Sequence, residues 1–303
     1  MLPLILIAIA GAAVACVLYG TLIEHHWYRL RRYRLAILPA EGPETLTVLH
    51  LSDLHFVRDD PKKARFMQTL PAADVTIVTG DFLAEPEAVE AAVVALHRTR
   101  GRLASWFVLG SNDYYAPRRL NYLAYFRTHR KKRQASLGRA DDLVAQLTAE
   151  GWEDLTNVRR QVTLDGLQVE LLGLDDAHIR RQDYRVAPRT APERFGVAVM
   201  HSPDSAPETA ALGYGFMVAG HTHGGQVRLP LIGALVTNST MPRRLVSGLM
   251  RMGTAVLHTS PGLGTSKFAP FRFLCRPEAT ILELRRRPAD AAVLPRGSAE
   301  SLH

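Results

Sequence analysis

The feature that most constrains this chain is where its apolar runs stop. Short strand-like runs alternate with helical stretches, and run after run ends on a residue able to hold a metal ion. Thr45–Leu51 leads into Ser52-Asp53-Leu54-His55, residues 74–79 into Gly80-Asp81, and residues 104–109 into Gly110-Ser111-Asn112-Asp113. Phe195–Met200 ends at His201, and Phe216–Ala219 at Gly220-His221-Thr222-His223-Gly224-Gly225-Gln226. Residues 255–260 run into Pro261-Gly262-Leu263-Gly264, and residues 279–284 close the series. Helices are expected from near Pro61, over residues 85–100 with Pro86 in the first turn, and over residues 141–149. Asp165-Gly166 between two apolar runs marks a hairpin. Alternation of this kind builds an α/β sheet, whose ligands bind beyond the carboxyl ends of its strands.

His221 and His223 stand two residues apart just past a strand end, so both can turn toward one point while the flanking glycines let backbone come close. Aspartate and asparagine taken singly are ordinary turn residues. Five strand ends bearing Asp53 and His55, Asp81, Asn112, His201, and the His221/His223 pair are not explained as turns. Mixed imidazole and carboxylate donors suit Zn, Mn or Fe better than Mg or Ca. His50, inside the first run, reads as a packed core residue.

Together, Asp53-Leu54-His55, Gly80-Asp81, Asn112-Asp113, His201 and Gly220-His221-Thr222-His223 resemble the calcineurin-like metallophosphoesterases. The similarity is closer to a membrane-anchored bacterial branch, on residues 51–55, 220–230, Gly262-Leu263-Gly264-Thr265 and Cys275-Arg276-Pro277-Glu278, and it spans residues 45–284. The resemblance implies an α/β fold, a four-layer α/β/β/α metallophosphoesterase sandwich with two divalent metal ions (Mn, Fe or Zn) at its rim. Asp53, His55 and His223 would hold one ion; Asn112, His201 and His221 the other; Asp81 would bridge both. A dinuclear centre of that type hydrolyses phosphomonoester, phosphodiester or pyrophosphate bonds through a bridging hydroxide that attacks phosphorus in line.

One departure falls at the third strand end, where the family has Gly-Asn-His followed by Asp or Glu. Here the residues are Gly110-Ser111-Asn112-Asp113. Either Ser111 takes the ligand place, or a one-residue shift keeps Asn112 as ligand and puts Asp113 where the family's histidine stands. An amide oxygen is the better ligand for a hard cation, so Asn112 and Asp113 are the residues expected to act at substrate, with Asp113 the substitute acid.

Residues 2–23 carry no charged side chain and are long enough to cross a hydrocarbon core of roughly 30 Å. The run lacks the basic n-region of a signal peptide and reads as an uncleaved anchor. Trp27-Tyr28-Arg29-Leu30-Arg31-Arg32-Tyr33-Arg34 suits a headgroup zone and predicts a catalytic domain on the cytoplasmic side of the cell membrane. The expected division is an anchor with its basic segment over 1–35, a metallophosphoesterase domain over 36–284 with a basic, aromatic insertion at about 114–139, and a disordered tail over 285–303. The insertion reads as a surface for membrane phosphates or substrate, or as a solvated loop; no nucleic-acid module accompanies it, which makes nucleic acid an unexpected partner.

A net charge of +8 fits an anionic partner such as a phosphate ester, and equally a solvated basic surface. Arg243, Arg244 and Arg276 could clamp phosphate. Asp175 and Asp176, before His178, read as a turn or as partners of the ligands. With two cysteines, Cys16 and Cys275, no disulfide framework is expected. Two other functions remain open on the residues: a binding scaffold that keeps the fold with weak catalysis, supported by the altered Gly-Ser-Asn-Asp, and a nuclease using the basic insertion.

Overall fold

The computed structural model describes residues 1–117, 137–288 and 300–302. In chain order the helices are α1 (Leu2–Leu18), α2 (Pro61–Gln68), α3 (Val89–Leu96), α4 (Ser111–Tyr114), α5 (Ala140–Ala149) and α6 (Ala206–Ala211). The strands are β1 (Arg29–Leu38), β2 (Thr45–Leu51), β3 (Val75–Thr79), β4 (Ala104–Val108), β5 (Glu153–Asp154), β6 (Val158–Leu164), β7 (Leu167–Leu174), β8 (Phe195–Met200), β9 (Phe216–Ala219), β10 (Arg228–Leu229), β11 (Gly233–Ala234), β12 (Gly248–Met252), β13 (Ala255–Thr259), β14 (Glu278–Arg286) and β15 (Glu300–Leu302).

Two sheets form. One has the order β1-β14-β2-β3-β4-β5, the other β15-β12-β13-β9-β8-β7-β6, and β10 pairs with β11 apart from both. The central strands β2, β3 and β4 run parallel to one another, as do β7, β8, β9 and β13 in the other sheet, while β14, β6 and β12 flank them antiparallel. Parallel strands are covered on both faces, which is why β3, Val-Thr-Ile-Val-Thr, is buried at every position. Val48, Ile77, Trp106 and Val108 of the first sheet meet Val169, Leu171, Val199, Phe216 and Val218 of the second in one core between the sheets. Helices α2, α3 and α5 cover the outer face of the first sheet, and α6 with the segment around Leu245 covers the outer face of the second. The result is the expected four-layer α/β/β/α sandwich. Each fully buried Val, Leu, Ile or Phe contributes about 1.5–3 kcal/mol.

The boundary drawn at residue 35 falls inside a strand. Arg29–Leu38, read from the sequence as a headgroup segment running into the domain, is β1, paired parallel with β14 from Arg29↔Glu278 onward. Its arginines are edge charges: Arg29 pairs with Glu278 at 2.7 Å and Arg34 with Glu283 at 3.0 Å. Charged residues on an edge strand keep other chains from adding to it. The tail boundary also moves, because β14 continues to Arg286 and Glu300–Leu302 pairs with β12. The basic insertion expected near 114–139 lies almost wholly outside the described residues, with only Tyr114–Pro117 and Leu137–Arg139 seen.

Leu2–His26 is a continuous helical run of 25 residues whose most apolar 18-residue stretch has mean hydropathy 2.5, long and apolar enough to cross a membrane. No residue of α1 is buried against the domain.

Candidate metal centre

Strand ends from both sheets converge at one rim of the sandwich. There the backbone switches into the left-handed region at Asp53 (φ 47°), His55 (φ 43°), Asp81 (φ 53°), His221 (φ 67°) and His223 (φ 50°). Asp and His reach this region more easily than most residues, and such strain, of order 1–3 kcal/mol each, persists only where the surroundings hold it. What holds it is a lacing of loop to loop. Asp53 N donates to Gly80 O (3.0 Å), His55 N to Asp81 O (2.9 Å), Gly220 N to His201 O (2.9 Å) and Gly264 N to Asp53 O (2.7 Å). The packing is tight enough that a Cβ at Gly220 would stand 1.8 Å from Ser52 Oγ, and one at Gly80 (φ +83°) would stand 2.7 Å from His201 Nδ1.

The donors fall into two groups that share Asp53: Asp53, His55 and His223, and Asp53, Asp81 and His201, with the donor atoms of each group within 4.8 Å of one another. His55 Nε2 lies 3.3 Å from His223 Nε2 and 3.4 Å from Asp81 Oδ2. His223 Nε2 is 3.6 Å from Asp53 Oδ1, and His201 Nε2 is 3.7 Å from Asp81 Oδ1. Asp81 therefore touches members of both groups. His201 donates through Nδ1 to Thr79 O at 2.6 Å, and His221 donates through Nε2 to Asn238 O at 3.1 Å. Each ring is thereby fixed with its other nitrogen facing the cluster, and His221 Nδ1 sits 3.2 Å from His201 Nε2.

At the third strand end the group against Asp81 is Asn112, not Ser111. The Asn112 backbone N–H donates to Oδ1 (2.8 Å) and its amide nitrogen to Oδ2 (2.6 Å) of Asp81. Asp113 is corrected. Its carboxylate, fully buried, accepts from Phe82 N (2.9 Å) and Leu83 N (3.2 Å) on one oxygen and from Gly110 N (2.9 Å) on the other. It brackets backbone, with both oxygens spent on main-chain amides. Arg276 is likewise no phosphate clamp: its guanidinium lies 4.1 Å over the Trp27 ring and donates to the Trp27 and Tyr28 carbonyls.

Two buried carboxylates this close need positive charge. Burial, with Asp81 beside it, pushes Asp53 up to about 6 despite the His201 ring. Against the upward push of burial, His201, His55 and the Asn112 amides hold Asp81 below the ordinary carboxylate range. Burial alone would lower His201, but Asp81, Asp176 and Asp53 raise it to about 10. The carboxylates of this rim thus favour positive charge among them. Burial keeps His55 near 4 and His221 near 3, and His223 far below the usual range, so these rings are neutral donors. The donor set and its demand for positive charge fit divalent metal ions.

Of the groups around the donors, the sequence marks Asp176 and His178 as a turn or as partners of the ligands, and does not mark Asn238. Asn238 meets His221 through a backbone carbonyl, for which residue type carries no signal. The exposed His178 ring lies 4.6 Å from that of His221. Asp176, fully buried, accepts from His178 N (2.8 Å) on one oxygen while the other has no partner among the described residues; of the two readings of 175–176, this placement favours a partner of the ligands over a bare turn.

Beside His55 a cavity of about 370 Å³ opens, lined also by His25 and His26 at the end of the N-terminal helical run and by Lys62, Lys63 and Lys267. Lys63 is buried, paired with Asp60 at 2.6 Å, and donates to His55 O at 3.1 Å.

The sequence matches the calcineurin-like phosphoesterase family over residues 46–225, more than half of the chain. It is 25% identical to the Bacillus subtilis metallophosphoesterase YkuE, covering 88% of this chain and 89% of that one. It is 27% identical to the Escherichia coli phosphodiesterase YaeI, covering 86% and 90%. A Bos taurus transmembrane protein with a metallophosphoesterase domain is 25% identical over 80% of this chain and 54% of its own length. Among solved structures, the Haemophilus influenzae NAD nucleotidase superposes with a TM-score of 0.46 at 11% identity, covering 73% of this chain and 46% of that one.

Proposed function

The chain belongs to the calcineurin-like phosphoesterase family, and from that premise we propose that it is a dinuclear metal-dependent phosphohydrolase acting on phosphoester bonds close to a membrane. The observation that carries the reading is the convergence of Asp53, Asp81, His55, His201 and His223 at one rim. One ion is assigned to Asp53, His55 and His223. The other would be held by His201, His221 and the amide oxygen of Asn112. Asp81, in reach of both groups, is the shared carboxylate. Two cations held there supply charge for phosphate oxygens and acidify a water nucleophile.

The chain's own residues do the rest. Asp53 and Asp81 carry the counter-charge, and the hydrogen bonds from His201 to Thr79 and from His221 to Asn238 keep both rings aimed. The likeness to a phosphodiesterase supports a phosphodiester among the candidate bonds. The Leu2–His26 run supports membrane anchoring, and the arginines of β1 just after it support a cytoplasmic domain. The cavity between His55 and the helix exit supports a substrate whose head group sits between metal centre and bilayer, as a lipid-linked phosphate would.

The test is metal content together with turnover on mono-, di- and pyrophosphate esters, soluble and lipid-linked, for wild type and Asp81→Ala. Two equivalents of metal and turnover in the wild type, both lost in the variant, are expected. A folded wild type holding no stoichiometric metal overturns the proposal; indifference to lipid overturns its membrane part.

A further inference from the structure

Between the two contacts that frame the His221/His223 turn, the chain throws out a short hairpin. It begins after Gln226, whose C=O accepts from Phe273 N at 3.0 Å. It ends at Asn238, whose carbonyl meets His221. β10 and β11 pair through Arg228↔Ala234 and Leu229↔Gly233. At the tip, Ile232 N donates to Pro230 O at 2.8 Å, closing a three-residue turn around Leu231 at φ +66°. That hand of the turn is the rare, strained one, and leucine gains nothing there from side-chain hydrogen bonding. Yet Leu231 is fully exposed, and Ile232 and Val236 are 62% and 55% exposed. A second leucine, Leu274, repeats the pattern at φ +52° and 50% exposure. Strained backbone that presents bare leucine to water points to a use for the side chain.

The hairpin's base is tied to the exit of the N-terminal helix. Arg228 N donates to Phe273 O at 2.8 Å, the Phe273 ring stands edge-on to Tyr19 at 6.1 Å, and Arg272 N donates to Gly20 O at 3.2 Å. Leu22 and Ile23 on that exit are themselves exposed. The few residues from base to tip reach no further than roughly 10 Å, about the depth of one headgroup layer. The exposed tip and the exposed helix exit are thereby held on one framework.

We infer that the Leu231–Ile232 hairpin tip and Leu274 insert at the headgroup–acyl boundary of the bilayer, forming a lip that seats the metal centre against the membrane. The inference rests on the anchoring proposed above. Because His221 and His223 are framed by the hairpin's two ends, seating the tip fixes the mouth of the site relative to the lipid heads. It therefore favours substrates presented in the bilayer over soluble ones.

The full chain in phospholipid vesicles tests this by spin-label depth, read from collision with oxygen and with a water-soluble nickel chelate. Native Cys16 reports the anchor, and Leu231→Cys in a Cys16→Ser background reports the tip; Cys275 is buried. The expected result is Cys16 deep in hydrocarbon and the Leu231 position at the headgroup–acyl boundary. Cys16 in lipid with the tip in water overturns the lip and leaves the anchor standing. Cys16 in water overturns the anchor and the lip with it. Spin–spin broadening between tip labels, showing pairing of two copies there, also overturns it. Independently, Leu231→Asp/Ile232→Asp should raise KM for a vesicle-borne phosphodiester about tenfold and leave kcat/KM for a soluble nitrophenyl phosphodiester unchanged; equal effects on both overturn it.

Discussion

His258 and His50 face each other in the sandwich interior with their Nδ1 atoms 2.7 Å apart. The bond is the far end of a chain that reaches the metal centre. Ser52 Oγ donates to Asp53 Oδ2 at 2.5 Å, and Thr79 Oγ1 donates to Ser52 Oγ at 2.7 Å. Thr79 Oγ1 therefore accepts from His50 Nε2 at 3.0 Å, which leaves His50 Nδ1 to accept from His258. Every donor points toward Asp53, and such chains reinforce one another in a low-dielectric interior. The chain fixes which Asp53 oxygen takes the Ser52 hydroxyl, Oδ2, and which faces His223, Oδ1. His50→Leu should weaken metal retention or turnover about 10–100-fold, the range seen for groups that orient metal ligands, with KM little changed. Metal titration of purified variant against wild type measures it; unchanged affinity and turnover would show that Asp53 needs no such support.

The same pair sets an acid limit on stability. Burial depresses His50 far below its ordinary value, with the His258 ring adding to it, and takes His258 to about 3 with Arg31 adding. In the unfolded chain both bind a proton near pH 6.5, while the folded chain does not. Their contribution is therefore complete above that pH and is lost as pH falls below it, by up to about 1.4 kcal/mol per pH unit for each ring. His50→Leu/His258→Leu should be less acid-sensitive than wild type by about 2–3 kcal/mol at pH 5.5. Urea unfolding at pH 7.5 and 5.5 gives the comparison, and parallel losses in both proteins would refute it.

Strand ends were legible because termination is local: an apolar run, a glycine, then Asp or His can be read within ten residues or so. Asp53, Asp81, His201, His221 and His223 meet as that pattern requires. What escaped is what depends on distant partners. β1 hides under four arginines, and only Glu278 and Glu283, far along the chain, make Arg29–Leu38 a strand. Asp113 looked like an acid because its true partners, the Phe82 and Leu83 amides, belong to another loop. Leu231 has no periodicity to betray it; its meaning lies in exposure and φ.

Asp113 yields a prediction that separates bracket from acid. Burial and the Asp81 charge push its carboxyl up to about 8, against the pull of the amides it accepts. Asp113→Asn keeps the shape but sets an NH2 against a backbone N–H. The cost should be about 1–3 kcal/mol for the unsatisfied pair, or a Tm lower by roughly 2–4 °C per kcal/mol in a chain of this size. The limbs of the kcat pH profile should stay where they are. Disappearance of the basic limb would restore Asp113 as proton donor.

The helix exit also reaches the metal centre through bonds that can be cut singly. Glu24, 1% exposed, accepts from Leu274 N at 2.8 Å and from Cys275 N. Cys275 in turn donates its thiol to His223 O at 3.3 Å. Glu24 thus holds the loop that supports His223, while His201 and Asp81 are held by Thr79 and Asn112 instead. Glu24→Gln removes one of two acceptor oxygens and should cost about 1–3 kcal/mol in stability. It should also split the two ions. Affinity at the Asp53–His55–His223 group should fall while that at the Asp81–His201 group holds, because only the first leans on this loop. Stepwise metal titration of the full chain in detergent distinguishes the two; equal weakening of both steps, or of neither, would break the link from helix exit to His223.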